Sequence, residues 1–156
     1  GARCLDLFAG TGALGLEALS RGAASVAFVE RDSTAAASLE QSLRQFGATG
    51  GEVHCMDALR YLHSVPQPFD IVFLDPPFDS GELENLCKLL DEGWLAPDAR
   101  IYLEMSRDRA FPALPADWSV LRDRKAGKVR YALAHSSAID AGEDADADRR
   151  DVPGNV

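Results

Sequence analysis

The sequence predicts an α/β domain: a mostly parallel sheet with helices on both faces, closed at one edge by an antiparallel hairpin. Three observations carry this. Short apolar runs alternate with stretches of helical spacing from residue 3 to residue 105, joined by short connections. After residue 106 the alternation stops, and two strand-like runs flank Ala126-Gly127. The 156 residues, 46% of them apolar, suffice for one domain with its own core.

The elements follow in order. "RCLDLF" (3–8) is a short apolar strand that runs into a glycine turn. "ALGLEALSR" (13–21) places Leu14, Leu16 and Leu19 at helical spacing and stops at Gly22. "SVAFVE" (25–30) is the second strand. Asp32 is placed to cap a helix over 33–46, with Leu39, Leu43 and Phe46 on one face and Gly47 as the stop. "EVHCM" (52–56) is a third strand, 58–63 a short helix and "FDIVFL" (69–74) a fourth strand, buried on both faces. Residues 81–95 read as one helix, with Leu83, Leu86, Leu89 and Leu90 on one side, and "ARIYLEM" (99–105) as the fifth strand. "WSVLRDRK" and "KVRYALA" form the hairpin. The domain is expected over 1–134. Residues 135–156, with six acids, two bases and no Phe, Tyr or Trp, are expected to be a disordered acidic tail.

Composition narrows the function classes. No run approaches the roughly 18 apolar residues that span a bilayer, and no charged-then-apolar leader precedes the first strand. The chain opens at Gly1 directly on that strand without an initiator methionine, so it is expected to be a fragment. Cys4, Cys55 and Cys87 show no metal-type spacing and read as reduced, buried thiols of a cytoplasmic protein. A net charge of −9 argues against a general nucleic-acid coat. The charge is uneven, however: "RDRKAGKVR" (122–130) holds five bases and one acid.

The chemistry begins at "DLFAGTGALG" (6–15), where Gly10, Gly12 and Gly15 lie between a strand and a helix. Gly10 and Gly12 permit positive φ and a close approach of ligand to backbone. The helix N-terminus offers N–H groups to an anion, whether a pyrophosphate or an amino-acid carboxylate. Glu30 ends the second strand, where a carboxylate can accept both hydroxyls of a ribose. Asp57 follows the third strand and is suited either to an adenine amine or to capping the helix behind it. These residues fit a nicotinamide dinucleotide or S-adenosylmethionine. Asp6, four residues before Gly10, tips the balance: it could receive the ammonium of a methionine moiety, and a dinucleotide gains nothing from an acid there.

Ligands of open α/β sheets bind beyond the C-terminal ends of the strands. There, after the fourth strand, stand Asp75, Pro76, Pro77 and Phe78. An exocyclic amine on a base is a poor nucleophile because its lone pair is delocalised into the ring. Two acceptors aimed at its hydrogens would localise that pair. Asp75 supplies a carboxylate oxygen, and the Pro76 carbonyl the second acceptor. Pro76 holds the residue before it extended, and neither proline has an N–H, so the loop is stiff and rich in acceptors. Phe78 offers a flat face on which an extruded base can stack.

Four segments, "LDLFAGTGALGLEALSRGA" (5–23), "DIVFLDPPF" (70–78), "GWLAPDARIYLE" (93–104) and "LPADWSVLRDRKAGKVRYAL" (114–133), closely resemble the RsmD family of bacterial 16S ribosomal RNA guanine-N2 methyltransferases. The resemblance covers about residues 1–134, and the last two segments are the more specific to the family. It implies a Rossmann-like class I methyltransferase fold with a seven-stranded sheet, S-adenosylmethionine as donor and N2-methylguanine in small-subunit RNA as product. It carries Asp6, Phe8, Gly10, Gly12, Glu30, Asp57 and Ala58 into a cofactor site, and Asp75, Pro76, Pro77 and Phe78 into the amine-binding motif. Arg21 and the hairpin bases Arg122, Arg124, Lys125, Lys128 and Arg130 are expected to face the RNA, the hairpin on its charge alone. The protein is expected to act as a monomer on 16S RNA within a small-subunit particle. The resemblance implies a segment before the first strand, near cofactor and RNA, and the sequence is expected to be missing it. The competing readings are another amine target (adenine N6 or a protein glutamine), a nicotinamide oxidoreductase, and a non-catalytic RNA-binding module.

Overall fold

The computed structural model describes residues 1–77 and 81–137. Seven strands form one sheet: β1 (Arg3–Asp6), β2 (Ser25–Val29), β3 (Gly51–His54), β4 (Phe69–Leu74), β5 (Leu95–Ser106), β6 (Trp118–Ala126) and β7 (Val129–Ser136). Their order across the sheet is β3-β2-β1-β4-β5-β7-β6. The first five are parallel to one another, whereas β7 runs antiparallel to both β5 and β6. Strand order reverses between β1 and β4, so the loops leaving these two strands flank the crevice where such sheets take ligands.

Four helices cover the two faces: α1 (Ala13–Ser20), α2 (Ser33–Gln45), α3 (Ala58–Leu62) and α4 (Leu83–Leu90). Alternation along the strands sends side chains to opposite faces. Cys4, Val26 and Phe28 pack with Leu39 and Leu43 of α2 and Leu16 and Leu19 of α1. Leu5, Val29, Val72 and Leu74 pack with Tyr61 and Leu62 of α3 and Leu86 and Leu90 of α4. Asp32 caps α2 as the sequence predicts, accepting from the Thr34 N–H at 3.0 Å. Among the described residues, no helix is long and apolar enough to cross a membrane.

Three differences from the sequence reading stand out. The helix expected over 81–95 ends at Leu90. Gly93 turns the chain at φ 96°, and Trp94 then drops into the core, 1% exposed, with its ring parallel to Phe69 (centroids 6.3 Å apart) and tilted against Tyr61 (5.1 Å). β5 accordingly starts at Leu95 rather than 99, and it is irregular. Phe69 pairs with Leu95 but Ile71 with Arg100, so two steps along β4 face five along β5, and Asp98 takes up the slack at φ 62°. Finally, β7 runs through Ser136, and the Ser137 N–H donates to the Asp117 carbonyl at 3.0 Å, so the boundary expected at 134 falls inside a strand. The rest of the expected tail lies outside the described residues. Cys4 and Cys87 are buried as expected, but Cys55 is exposed.

Candidate functional site

The loop after β1 is shaped by its glycines. Gly10 sits at φ 55° with open space where a Cβ would stand. Gly12, at φ 83°, has no such room: a Cβ would lie 2.3 Å from Leu39 Cδ1. Gly15 lets α1 press onto β2, since a Cβ there would meet Phe28 Cε1 at 2.2 Å. Each glycine of the motif therefore has a distinct cause: backbone conformation, conformation plus packing, and packing.

Two of the N–H groups that the sequence assigns to a ligand are engaged by side chains. Gly10 N–H donates to Glu30 Oε1 and Asp32 N–H to Glu30 Oε2, both at 2.8 Å. Gly15 N–H donates to Asp6 Oδ2 at 3.2 Å. The loop thus orients two carboxylates. Glu30 keeps lone pairs on both oxygens for hydroxyl donors. Asp6, 2% exposed, lies deeper than the sequence reading assumed. Its carboxyl is pushed up to about 7, chiefly by burial and further by the charges of Asp75 and Glu30, against the Gly15 hydrogen bond that pulls it down. Asp57 stands at the N-cap position of α3 but makes no side-chain cap bond, so its carboxylate is left for another donor.

A crevice of about 620 Å³ opens at the C-terminal ends of β1, β2 and β4. Phe8, Glu30, Asp57, Ala58, Asp75, Pro76 and Pro77, seven residues singled out from the sequence, line it together, with Arg31, Asp32, Met56 and Glu82 beside them. Asp6, Gly10 and Gly12 are not among its lining residues. The volume is that of a pocket for a nucleoside-sized ligand. A ribose would meet Glu30, an adenine amine Asp57, and a cationic centre the half-buried Asp75. Phe78 lies outside the described residues.

Asp75 is held above the ordinary carboxylate range, at about 6, first by burial and then by the charge of Glu104. The register explains the second cause. Leu74 pairs with Leu103, so Asp75, just past the end of β4, lies beside Glu104 of β5. Tyr102, two residues before Glu104 on the same face, donates its hydroxyl to Glu104 Oε2 at 3.3 Å. Neither Tyr102 nor Glu104 was singled out from the sequence. The usable signal was an acid and a phenol at alternate positions near the end of an otherwise apolar strand.

The basic residues divide. Arg130 is committed to Asp123 by two contacts, Nε–Oδ1 at 2.8 Å and Nη2–Oδ2 at 2.6 Å, and its guanidinium lies over the Phe111 ring at 4.8 Å. Arg21 is paired with Glu17 at 2.6 Å on the helix surface. Arg122, Arg124, Lys125 and Lys128 are exposed on β6 and its turn, where Gly127 takes φ 59° as a two-residue hairpin turn with glycine first requires.

Residues 1–135 match the family described as "Conserved hypothetical protein 95". The chain belongs to the RsmD family. It is 44% identical over 138 residues to "Ribosomal RNA small subunit methyltransferase D" of Escherichia coli K12, covering 88% of this chain and 70% of that protein. To the protein of the same name from Haemophilus influenzae it is 40% identical, covering 83% and 69%. The solved structure of yhhF from Escherichia coli superposes with a TM-score of 0.85 at 44% identity, covering 88% of this chain and 78% of the other. TrmN from Thermus thermophilus shares the fold at a TM-score of 0.70 and 24% identity, over 87% of this chain and 44% of that one. The fold of this RsmD-family chain is that of the class I methyltransferases, as its motifs imply.

Proposed function

We propose that this protein methylates the exocyclic N2 amine of a guanine in 16S ribosomal RNA, with S-adenosylmethionine as donor, in the cytoplasm and on small-subunit particles. The observation that carries the reading is the crevice in which Glu30, Asp57 and Asp75 converge on a proline-stiffened loop. The names of the Escherichia coli and Haemophilus influenzae relatives support ribosomal RNA of the small subunit as the substrate class.

Glu30 would hold the ribose hydroxyls and Asp57 the adenine amine, with Phe8 and Ala58 as apolar walls. S-adenosylmethionine, when bound, supplies a methyl group on a positively charged sulfur. Asp75 and the Pro76 carbonyl each accept one hydrogen of the guanine amine, which turns the nitrogen lone pair towards that methyl. The nitrogen–carbon bond would be made at the expense of the carbon–sulfur bond, whose electron pair would stay with the departing thioether. The amine then sheds one proton to the Asp75 carboxylate. Orientation contributes most of the acceleration. Asp75 must be ionised to act, and a cationic centre beside it draws its pKa back down from about 6. Arg122, Arg124, Lys125 and Lys128 would meet the RNA backbone.

The test is methyl transfer to undermodified small-subunit particles, with the product mapped by mass spectrometry. N2-methylguanine is expected. N6-methyladenine or a modified glutamine would replace the target assignment. A chain that binds S-adenosylhomocysteine but never turns over would be a binding module, and one that binds NAD in its place an oxidoreductase.

A further inference from the structure

A second cavity, of about 240 Å³, lies on the other side of the proline turn. Pro76 and Pro77 line both it and the cofactor crevice, so two prolines form the partition between them. Its remaining walls include Met105, Phe111 and Pro112, three apolar surfaces suited to a flat ring. Glu104 opens into it, and Arg109 brings a positive charge to its rim. A base entering here would present its edge to the partition, with Glu104 on its own side and Asp75, next to Glu104 across the β4–β5 pairing, on the crevice side.

On the edge of guanine that carries the amine, the neighbouring ring nitrogen N1 bears a hydrogen. On the amine edge of adenine, the neighbouring N1 bears a lone pair. A carboxylate beside the amine site therefore accepts a hydrogen bond from guanine and repels adenine. Tyr102 engages Glu104 Oε2, which fixes the side chain and leaves Oε1 for a second donor.

We propose that Glu104 is the guanine-reading residue: it accepts the N1–H of the target base in the cavity behind Pro76 and Pro77 while Asp75 engages the N2 amine. Tyr102 acts through Glu104 as a positioning residue. The inference rests on the guanine-N2 reading above.

The experiment has two stages, so that the two readings fail separately. The full-length protein first methylates undermodified particles and the product nucleotide is mapped; any product other than N2-methylguanine overturns the proposed function and this inference together. A synthetic RNA spanning the mapped nucleotide is then made with guanine or with 2-aminopurine there. The latter keeps the amine but has a lone pair at N1. Wild type is expected to favour guanine. Glu104→Gln is expected to lose about tenfold or more in kcat/KM on guanine RNA while the guanine to 2-aminopurine ratio falls about tenfold, with S-adenosylhomocysteine affinity unchanged by calorimetry. Tyr102→Phe is expected to move the same ratio about threefold, by freeing the Glu104 side chain. An equal loss on both RNAs, no loss on either, or a wild type indifferent to N1 would overturn the assignment of Glu104. A melting temperature matching wild type establishes that Glu104→Gln is folded, and Tyr102→Phe tests the same ratio without touching the carboxylate.

Discussion

The two loops that face each other across the sheet's switch point are built on opposite principles. The loop after β1 is rich in glycine, adopts left-handed backbone at Gly10 and Gly12, and aims the Gly10 N–H at Glu30, while Gly15, in the first turn of α1, gives its N–H to Asp6. The loop after β4 holds two prolines that have no N–H to give, and it begins with an acid that no described hydrogen bond holds. One loop is a donor surface that organises acids, and the other is an acceptor surface that awaits a donor. On the proposed function, the contrast teaches that the cofactor half of the site is prepared by backbone geometry, whereas the transfer half depends on a substrate arriving with hydrogens to place.

The largest effect should come from breaking the acceptor loop. Asp75→Ala is expected to lower kcat about a thousandfold while calorimetry finds cofactor affinity within a few-fold of wild type. Loss of cofactor binding in a folded variant would erase the division between the loops. Next is the acid behind the glycine turn. Asp6 has a folded pKa of about 7 against 3.8 for the free side chain, so the folded state holds a proton that the unfolded state has lost between these values. Its contribution to stability is present below the unfolded value and is lost as pH rises through about 7. Asp6→Asn is therefore expected to raise the melting temperature of the ligand-free protein at pH 8, by a few kcal/mol of stability, and to flatten its decline between pH 5 and 8. A melting profile that keeps the wild-type slope would remove Asp6 as its source.

Glu30→Ala should weaken cofactor binding about tenfold to a hundredfold, since it removes the ribose acceptor and frees the Gly10 N–H that it now holds. Unchanged affinity by calorimetry would take Glu30 out of the site. The smallest change concerns the hairpin. Lys125→Ala should reduce the salt dependence of RNA binding by about one unit of log–log slope and leave the melting temperature alone. Arg130→Ala should do the reverse, because Arg130 is tied to Asp123. If both variants alter RNA binding alike, the split between free and committed bases is wrong.

Much of this was legible in the chain. Strand–helix alternation located five strands and the Ala126-Gly127 hairpin signal the other two, and the positions of Asp32, Glu30 and Asp75 relative to strand ends located one cap and two lining acids. What escaped depends on register. Asp123 and Arg130 meet because a two-residue turn folds β6 back on β7, and only that pairing reveals that one of the five hairpin bases is committed. Glu104 lies twenty-nine positions beyond Asp75 and becomes its neighbour only through the β4–β5 pairing. The over-long α4 had a different cause. Its leucine spacing continued towards Trp94, but a buried indole and a left-handed glycine ended the helix first. Asp57 looked able to cap α3 or to bind a ligand, and local sequence could not decide between them; its side chain makes no cap bond.

The slack in β5 has a consequence at its far end. The irregular stretch around Asp98 determines how many residues the strand spends before it runs in step with β4, and hence which side chain arrives opposite Asp75. It works as a length gauge set six residues, or about 20 Å of extended chain, upstream of Glu104. Removing one residue there would carry a different side chain to the proline partition and point Glu104 at the opposite face. If Glu104 reads the base as proposed, the chemical identity of that base would be set by a count of residues at the start of β5.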